Sequence, residues 1–370
     1  MKKKQVEKKK RKHVRERDWH DAQKHDFAFS RDQVKHRRAT VKMREHVPGD
    51  DALPKDFTPN GTVISHTKKW AFVWLEDHIH TCIIDERLKE RDSTLLAAGD
   101  QVLVEFEEED AIVRGIAPRR TRLSRPEAGN HERQFEQVLA ANVDVLLIVT
   151  AIKSPPFRAG LVDRFLIAAQ LGGVAPVLCL NKIDLDDEEP AEIEAYRELG
   201  MQVFKTSCVS GAGIAELRAA LTGKTCAVCG HSGVGKSSLL NALEPSLDLH
   251  TQEISTSDRG RHTTTSGRLY TLSCGTRIID TPGIRALGLW GVSPEELAWF
   301  FPEIAETAQA CKFRNCTHTH EPNCAVVAAV ESGELSRHRY DSYLRIRASL
   351  EADNKMTPGR MTAKYVGHHQ

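Results

Sequence analysis

Between residues 57 and 117 the apolar positions come in short bursts. GTVISH, WAFVWL, HTCIID, DQVLVEF and AIVRGIA are runs of six or seven residues, rich in β-branched and aromatic side chains and parted by turn-like segments. Such runs predict strands, and five of them in about sixty residues predict a small Greek-key barrel. Trp70, Phe72 and Trp74 recur at a spacing of two. They therefore share one strand face, and at least two of them are expected in the core.

Farther along, the alternation gives way to unbroken apolar runs. VAPVLCL (174–180) is one, the pattern of a parallel strand covered on both faces. VFKTSC (203–208) repeats it, RIID (277–280) is shorter, and TCAV (225–228) leads through a glycine-rich turn into SSLLNALE (237–244), which starts a helix. Helical patterns then take over. SPEELAWFFPEIAE (293–306) opens with Ser293 and has Glu296 three residues on, a capping box. Residues 335–355 place apolar or aromatic side chains near a helical spacing with arginines opposite. The fold class expected is multidomain α/β. No apolar stretch approaches the ~20 residues that cross a bilayer, so no membrane association is expected.

The punctuation between these elements carries chemistry. GHSGVGKS (230–237) has Gly230, His231, Ser232, Gly233, Val234, Gly235, Lys236 and Ser237 in the order of a phosphate loop. Its glycines let the backbone wrap an anion, Lys236 reaches the β- and γ-phosphates, and Ser237 offers a hydroxyl to Mg²⁺; Ser238 follows at the helix start, where free amides favour an anion. NKID (181–184) supplies the choice of base. The Asp184 carboxylate suits the N1–H and exocyclic amine of guanine, a donor pair adenine lacks. Asn181 would hold the far edge of the base and the Lys182 stem would cover its face, with Ile183 between. Thr206, Ser207 and Cys208 would form a small loop on the other side. In DTPG (280–283), Asp280 would hold Mg²⁺ through water and the Gly283 N–H would meet the γ-phosphate. GRHTTT (260–265) is polar and aperiodic. It reads as a switch loop that a γ-phosphate and Mg²⁺ would order, with Thr264, or alternatively Thr263, completing the Mg²⁺ shell. Ile284 stands where many GTPases place a water-orienting Gln, so intrinsic hydrolysis should be slow. His262 is the candidate for the missing polar contact; the alternative is that it is a solvated loop residue.

The order of these motifs is rotated: the base-reading segment precedes the phosphate loop by some fifty residues. With that order, the GHSGVGKSSLLN loop, the RGRHTTT segment and DTPG, the chain resembles the circularly permuted GTPases that assist small ribosomal subunit assembly, the RsgA (YjeQ/YloQ) family, over roughly residues 57–350. The resemblance implies an N-terminal OB-fold, a permuted GTPase core and a C-terminal zinc domain, with GTPase activity stimulated by the small (30S) subunit and its 16S rRNA. The organisation expected is an arm over 1–56, an OB-fold over 57–122, a GTPase domain over 123–290, and a helical zinc domain and tail over 291–370. CKFRNCTHTHEPNC places Cys311, Cys316, His318 and Cys324 in one short loop, which suits a closed tetrahedral Zn²⁺ site. The family pattern puts its ligands at these four positions, and so favours His318 over His320. Cys226-x2-Cys229 lies inside a strand pattern without a second ligand pair, and is read as packing, as are Cys82, Cys179, Cys208 and Cys274.

Composition adds three points. At 370 residues and 40% apolar, two or three domains with cores are expected. Nine cysteines, a thiolate metal site and no apolar leader point to a reducing cytoplasm; a monomer is expected. The net charge of +1 conceals an asymmetry: residues 1–46 hold seventeen Lys/Arg against seven Asp/Glu, and the rest of the chain is net negative by nine. The arm is expected to be disordered or loosely helical when free, and either condenses on RNA phosphates or only aids solubility. PRRTRLSR (118–125) is a basic connector that could touch rRNA or position the barrel, whereas EFEEED (105–110) is not expected on an RNA face. Two other function classes stay in view: an ATP-using P-loop enzyme, disfavoured by NKID, and a non-catalytic RNA-binding scaffold. Since DTPG directly precedes the C-terminal region, γ-phosphate contacts at Gly283 are expected to bias the docking of the zinc domain through residues 284–292.

Overall fold

The computed structural model describes residues 57–67, 69–90, 95–108, 110–126, 136–247, 267–280, 289 and 291–356. The basic arm, His262, Thr263, Thr264, Gly283 and Ile284 lie outside these residues, as does most of the 284–292 connection.

The five bursts form five strands: β1 (Gly61–His66), β2 (Trp70–Leu75), β3 (His78–Ile84), β4 (Gln101–Glu107) and β5 (Asp110–Ile116). They close into a barrel in the order β1-β2-β3-β5-β4, with β3 and β5 parallel and the other pairs antiparallel. This is the topology of an OB-fold. One expectation is overturned: Trp70 and Trp74 are 44% and 45% exposed, and Phe72 is half-buried against the neighbouring domain's core. The barrel interior takes the other face of β2, Ala71, Val73 and Leu75, together with Val63, Cys82, Ile84, Val102, Val104 and Val113. A five-strand barrel is narrow, so small and β-branched side chains fill it and the large rings are turned outward.

The connector positions the barrel. Arg119 makes a bidentate pair with the fully buried Asp100 at 2.7 and 2.8 Å and also reaches the Leu95 carbonyl. A hairpin of β6 (Arg122–Pro126) and β7 (Glu136–Ala141) then leads into a six-stranded sheet. Its strands are β8 (Val145–Ala151), β9 (Ala175–Asn181), β10 (Gln202–Thr206), β11 (Thr225–Cys229), β12 (Arg268–Thr271) and β13 (Arg277–Asp280), in the order β10-β9-β8-β11-β13-β12. All pairs are parallel except β12 with β13. Along β8, Leu146 and Ile148 join one core while Val145, Leu147 and Val149 join another. Both faces are covered, which is why such strands read as continuous apolar runs. The first core packs beneath α1 (Ala159–Gly172) and α2 (Glu192–Glu198), the second beneath α3 (Ile214–Leu221) and α4 (Lys236–Leu243).

The C-terminal region holds α5 (Pro302–Ala308), α6 (Ala325–Ser332) and α7 (Arg337–Met356). The capping box forms: Ser293 Oγ lies 2.9 Å from Glu296 Oε2, and the Glu296 N–H donates to Ser293 Oγ. The single helix expected over 293–306 is instead a short 3₁₀ turn, Leu297–Phe300, and then α5. Pro302 disfavours helical backbone at Phe301 and starts a new helix in the first turn, where no N–H is needed.

This region shares a core with the GTPase-like domain. Ile167 of α1 packs with Phe301, Tyr343, Ile346 and Leu350. Beside it Arg339, 4% exposed, pairs with the buried Asp163 of α1, donates to Glu303 Oε1 at 2.6 Å and stacks over the Phe301 ring at 4.5 Å. Tyr196 also donates to Asp163, at 3.0 Å. Removing one partner of a buried pair strands the other charge, at a cost of about 3–5 kcal/mol. Arg339→Leu is therefore expected to lower unfolding free energy by that amount in urea titrations. A loss below about 1 kcal/mol, the range of exposed pairs, would mean that water replaces the guanidinium.

Candidate nucleotide-binding site and metal centre

The C-terminal ends of β8, β9, β11 and β13 carry the loops expected to hold chemistry, which puts NKID, GHSGVGKS and Asp280 along one sheet edge. Parallel α/β sheets bind ligands at that edge. The phosphate loop leaves β11 at Gly230 with φ +143, and a Cβ there would meet the Val149 carbonyl oxygen at 2.1 Å. Gly235, φ +94, leads into α4, and a Cβ there would fall 2.5 Å from Asn181 Nδ2. Glycine is thus required where the loop turns and where it meets the base-reading segment. Lys236 Nζ donates to the Gly230 and His231 carbonyls at 3.0 and 2.8 Å, which holds its ammonium across the loop. Ser237 and Ser238 are half-buried in the first turn of α4. Ser232 and Gly233 are exposed on the loop, and Val234 is buried beneath it.

NKID meets this loop directly. Asn181 ends β9 and is 1% exposed; its Nδ2 donates to the Val234 carbonyl at 2.9 Å and its Oδ1 accepts from Thr206 Oγ1 at 3.0 Å. Lys182, φ +63, donates from Nζ to the carbonyls of Ser154 and Gly233 at 2.5 and 2.6 Å. Ile183 opens a single 3₁₀ turn to Leu185 that presents the exposed Asp184. The Ser207 hydroxyl donates to Asp184 Oδ1 at 2.5 Å while accepting from the Val209 and Ser210 N–H groups. Thr206 and Ser207 are fully buried, so their hydroxyls brace Asn181 and Asp184 rather than line an open surface. Asp280 ends β13, half-buried.

Two participants have no motif to announce them. The Ser154 carbonyl anchors Lys182 of NKID, and Arg158, just before α1, lies 3.4 Å from His231 Nε2. That last approach turns the His231 side chain toward α1.

In the C-terminal region the Cys311, Cys316 and Cys324 Sγ atoms and a ring nitrogen of His318 all lie within 4.8 Å of one another. His318 Nδ1 is 3.6 Å from Cys311 Sγ and 3.5 Å from Cys324 Sγ, and those two sulfurs are 3.8 Å apart. Zn–S bonds of ~2.3 Å and a Zn–N bond of ~2.0–2.1 Å at tetrahedral angles give edges of roughly 3.8 and 3.5 Å, which the separations among Cys311, His318 and Cys324 match, with Cys316 close enough to supply the fourth corner. Burial pushes the Cys316 thiol up to about 12, and Cys324 rises for the same reason; a bound cation would reverse that preference and draw out thiolates. His318 takes the left-handed conformation, φ +57, and its carbonyl accepts the Tyr340 hydroxyl at 2.6 Å. Glu321 gathers the loop by accepting from the Thr317 N–H and hydroxyl and from the Thr319 N–H. His320 is exposed, its Nδ1 2.7 Å from the Thr319 hydroxyl. Cys226 and Cys229 are buried in β11, and burial raises both thiols, Cys226 to about 12.

Comparison with known proteins agrees with this geometry. Residues 116–290 match the family model described as RsgA GTPase. The small ribosomal subunit biogenesis GTPase RsgA of Chlorobaculum tepidum is 41% identical over 268 residues, covering 70% of this chain and 86% of the relative. That of Shewanella oneidensis is 39% identical over 306 residues, covering 79% and 84%. Among solved structures, YjeQ from Thermotoga maritima superposes with a TM-score of 0.62 at 30% identity, covering 82% of this chain and 99% of its own. YloQ, a circularly permuted GTPase, gives 0.58 at 30% identity, covering 80% and 96%.

Proposed function

The chain belongs to the RsgA GTPase family, and from that premise we propose that it hydrolyses GTP to GDP and phosphate while binding the small ribosomal subunit late in its assembly, nucleotide state governing association and release. The observation that carries the reading is the pair of ties from NKID to the phosphate loop, Asn181 to Val234 and Lys182 to Gly233. They support it by tying the segment assigned to base reading to the segment assigned to phosphate binding, although the motifs are rotated in sequence.

In this reading Asp184, oriented by Ser207, selects guanine. Asn181, Lys182 and Ile183 form the rest of the base site, with Thr206 behind them. Residues 230–238 wrap the phosphates, and the Lys236 ammonium offsets charge that gathers on the β,γ-bridge as the bond breaks. Bound Mg²⁺ would neutralise phosphate oxygens, held by the Ser237 and Thr264 hydroxyls with Asp280 behind a water; Thr263 is the alternative. Gly283 would sense the γ-phosphate and His262 would orient the attacking water. Cys311, Cys316, His318 and Cys324 would hold one structural Zn²⁺. The domains proposed are 57–122, 123–290 and 291–370 after an arm over 1–56, in a cytoplasmic monomer that contacts 16S rRNA.

The test is turnover of GTP and ATP by the full chain alone, with 30S subunits and with 50S subunits, across salt. Slow GTP turnover, raised at least tenfold by 30S alone, is expected. Equal use of ATP would favour a general P-loop enzyme, and 30S binding without turnover a scaffold.

A further inference from the structure

At the opposite edge of the sheet from the nucleotide motifs lies a cleft of about 240 Å³ between barrel and GTPase domain. Thr62, Gly99 and Gln101 line it from the barrel side, and Arg120, Asn142, Thr225 and Arg277 from the other. Thr225 and Arg277 are the first residues of β11 and β13, whose far ends carry Gly230 and Asp280, so the cleft is a full strand's length from the phosphate loop.

Its charges do not balance internally. The Asp144 carboxylate binds two of the cleft's lining residues: Oδ1 accepts from Arg120 at 2.8 Å and Oδ2 from the Thr225 N–H at 2.8 Å. The Arg277 guanidinium feels Asp144 electrostatically but has no hydrogen bond or ion pair among the described residues. Two guanidiniums thus share one carboxylate charge. The Gln101 and Asn142 amides each spend one N–H, on Thr62 Oγ1 and the Gly99 carbonyl, both at 3.0 Å, leaving a second donor each. Five guanidinium donors in a fixed fork, backed by amides, match the oxygens of a phosphate group.

We infer that this cleft is a phosphodiester-binding site that seats RNA backbone between the barrel and the GTPase domain. The inference rests on the proposed ribosomal function for its partner. Its volume falls below the ~300–1,000 Å³ of sites for drug-sized ligands, and suits a phosphate with its adjoining sugar. Beyond residue 46 the chain is net negative by nine, so a polyanion meets general repulsion there, and a local cationic cleft is where it can approach.

The experiment measures association of the full chain with 30S subunits and with a short RNA duplex as a function of salt, for wild type, Arg277→Gln and Arg277→Lys. Each phosphate that goes unneutralised lowers the slope of log K against log salt by about 0.7–0.9. Arg277→Gln is expected to lose that much on both ligands, Arg277→Lys to recover most of it, and GTP affinity to stay unchanged in both. If Arg277→Gln does not fold, Arg120→Gln on the exposed rim carries the same expectation. A slope equal to wild type overturns the inference. So does inorganic phosphate, at constant ionic strength, that binds wild type and not Arg277→Gln yet leaves RNA association unchanged, because it assigns the cleft to the free anion. A wild type that ignores 30S subunits, yet whose duplex slope still falls in Arg277→Gln, would instead defeat the functional reading and leave the cleft standing.

Discussion

Asp184→Asn is expected to cut GTP affinity on the order of 10⁴-fold, the discrimination typical of a site built around a polar donor–acceptor match, and to transfer that affinity to xanthosine triphosphate. The Asp184 carboxylate offers two acceptors to a guanine edge that presents two donors. An amide in its place offers one acceptor and one donor, so the exocyclic amine of guanine meets an N–H. Xanthine carries a carbonyl at that position and accepts from it. The structure says which way the amide would turn. Ser207 donates to Oδ1 at 2.5 Å while its own oxygen receives the Val209 and Ser210 N–H groups. With both of those donors fixed, the hydroxyl hydrogen points at residue 184, and the asparagine oxygen must take that side. The amide nitrogen is then left to face the base. Competition among GTP, ATP and XTP on the purified variant reads the outcome directly. A variant that still prefers GTP over XTP would show that Asp184 does not read the base.

How much of this arrangement is legible in the sequence follows the range of the interactions. The barrel strands, the buried run ending at Asn181, the glycine-rich loop and the Cys311–Cys316–His318–Cys324 cluster are legible because each is local: a period of two, a glycine at a strained turn, four thiol and imidazole side chains within fourteen residues. Period alone says which residues share a face, not which face is inside, and so it misplaces Trp70 and Trp74. The break at Pro302 has its signal in the residue itself, outweighed by the capping box upstream. Strand β8 is as apolar as β9 but carries no motif at its end to mark it, although the following loop supplies the Ser154 carbonyl and Arg158. Arg119–Asp100 and Arg339–Asp163 are separated by 19 and 176 residues, and no local pattern marks such pairs. The roles of Thr206 and Ser207 are half legible: their place near the base follows from the strand, but their burial beneath Asn181 and Asp184 does not.

If the Cys311–Cys316–His318–Cys324 cluster holds the proposed zinc, stripping that metal should unfold the C-terminal region rather than loosen it. Structural zinc contributes about 10–16 kcal/mol to a small domain at neutral pH, comparable to or larger than the entire stability of most domains, about 5–15 kcal/mol. Here the donor loop is woven into the core it supports. Cys324 is 5% exposed at the head of α6, and the Tyr340 and Tyr343 hydroxyls reach back from α7 to the His318 and Thr317 carbonyls at 2.6 and 2.9 Å. Cys324→Ser, or chelation of the wild type, is therefore expected to expose α6 and α7 to proteases. Residues 57–280 should keep their fold and hold GTP within a few-fold of wild type, because no zinc donor touches the nucleotide edge. The consequence for turnover depends on how the regions are joined. Motif order alone suggests coupling through Gly283 and residues 284–292, but the described residues offer a second route: Arg339 grips Asp163 on α1, and Arg158, one residue before α1 begins, meets His231 in the phosphate loop. Loss of the zinc domain would release Asp163, five residues from Arg158 in the first turns of α1, at the end of the helix that borders the phosphate loop. Intrinsic turnover should then change little and 30S-stimulated turnover should collapse. If both rates survive in a protein shown by metal analysis to lack zinc, the C-terminal region plays no part in activation, and neither route transmits anything.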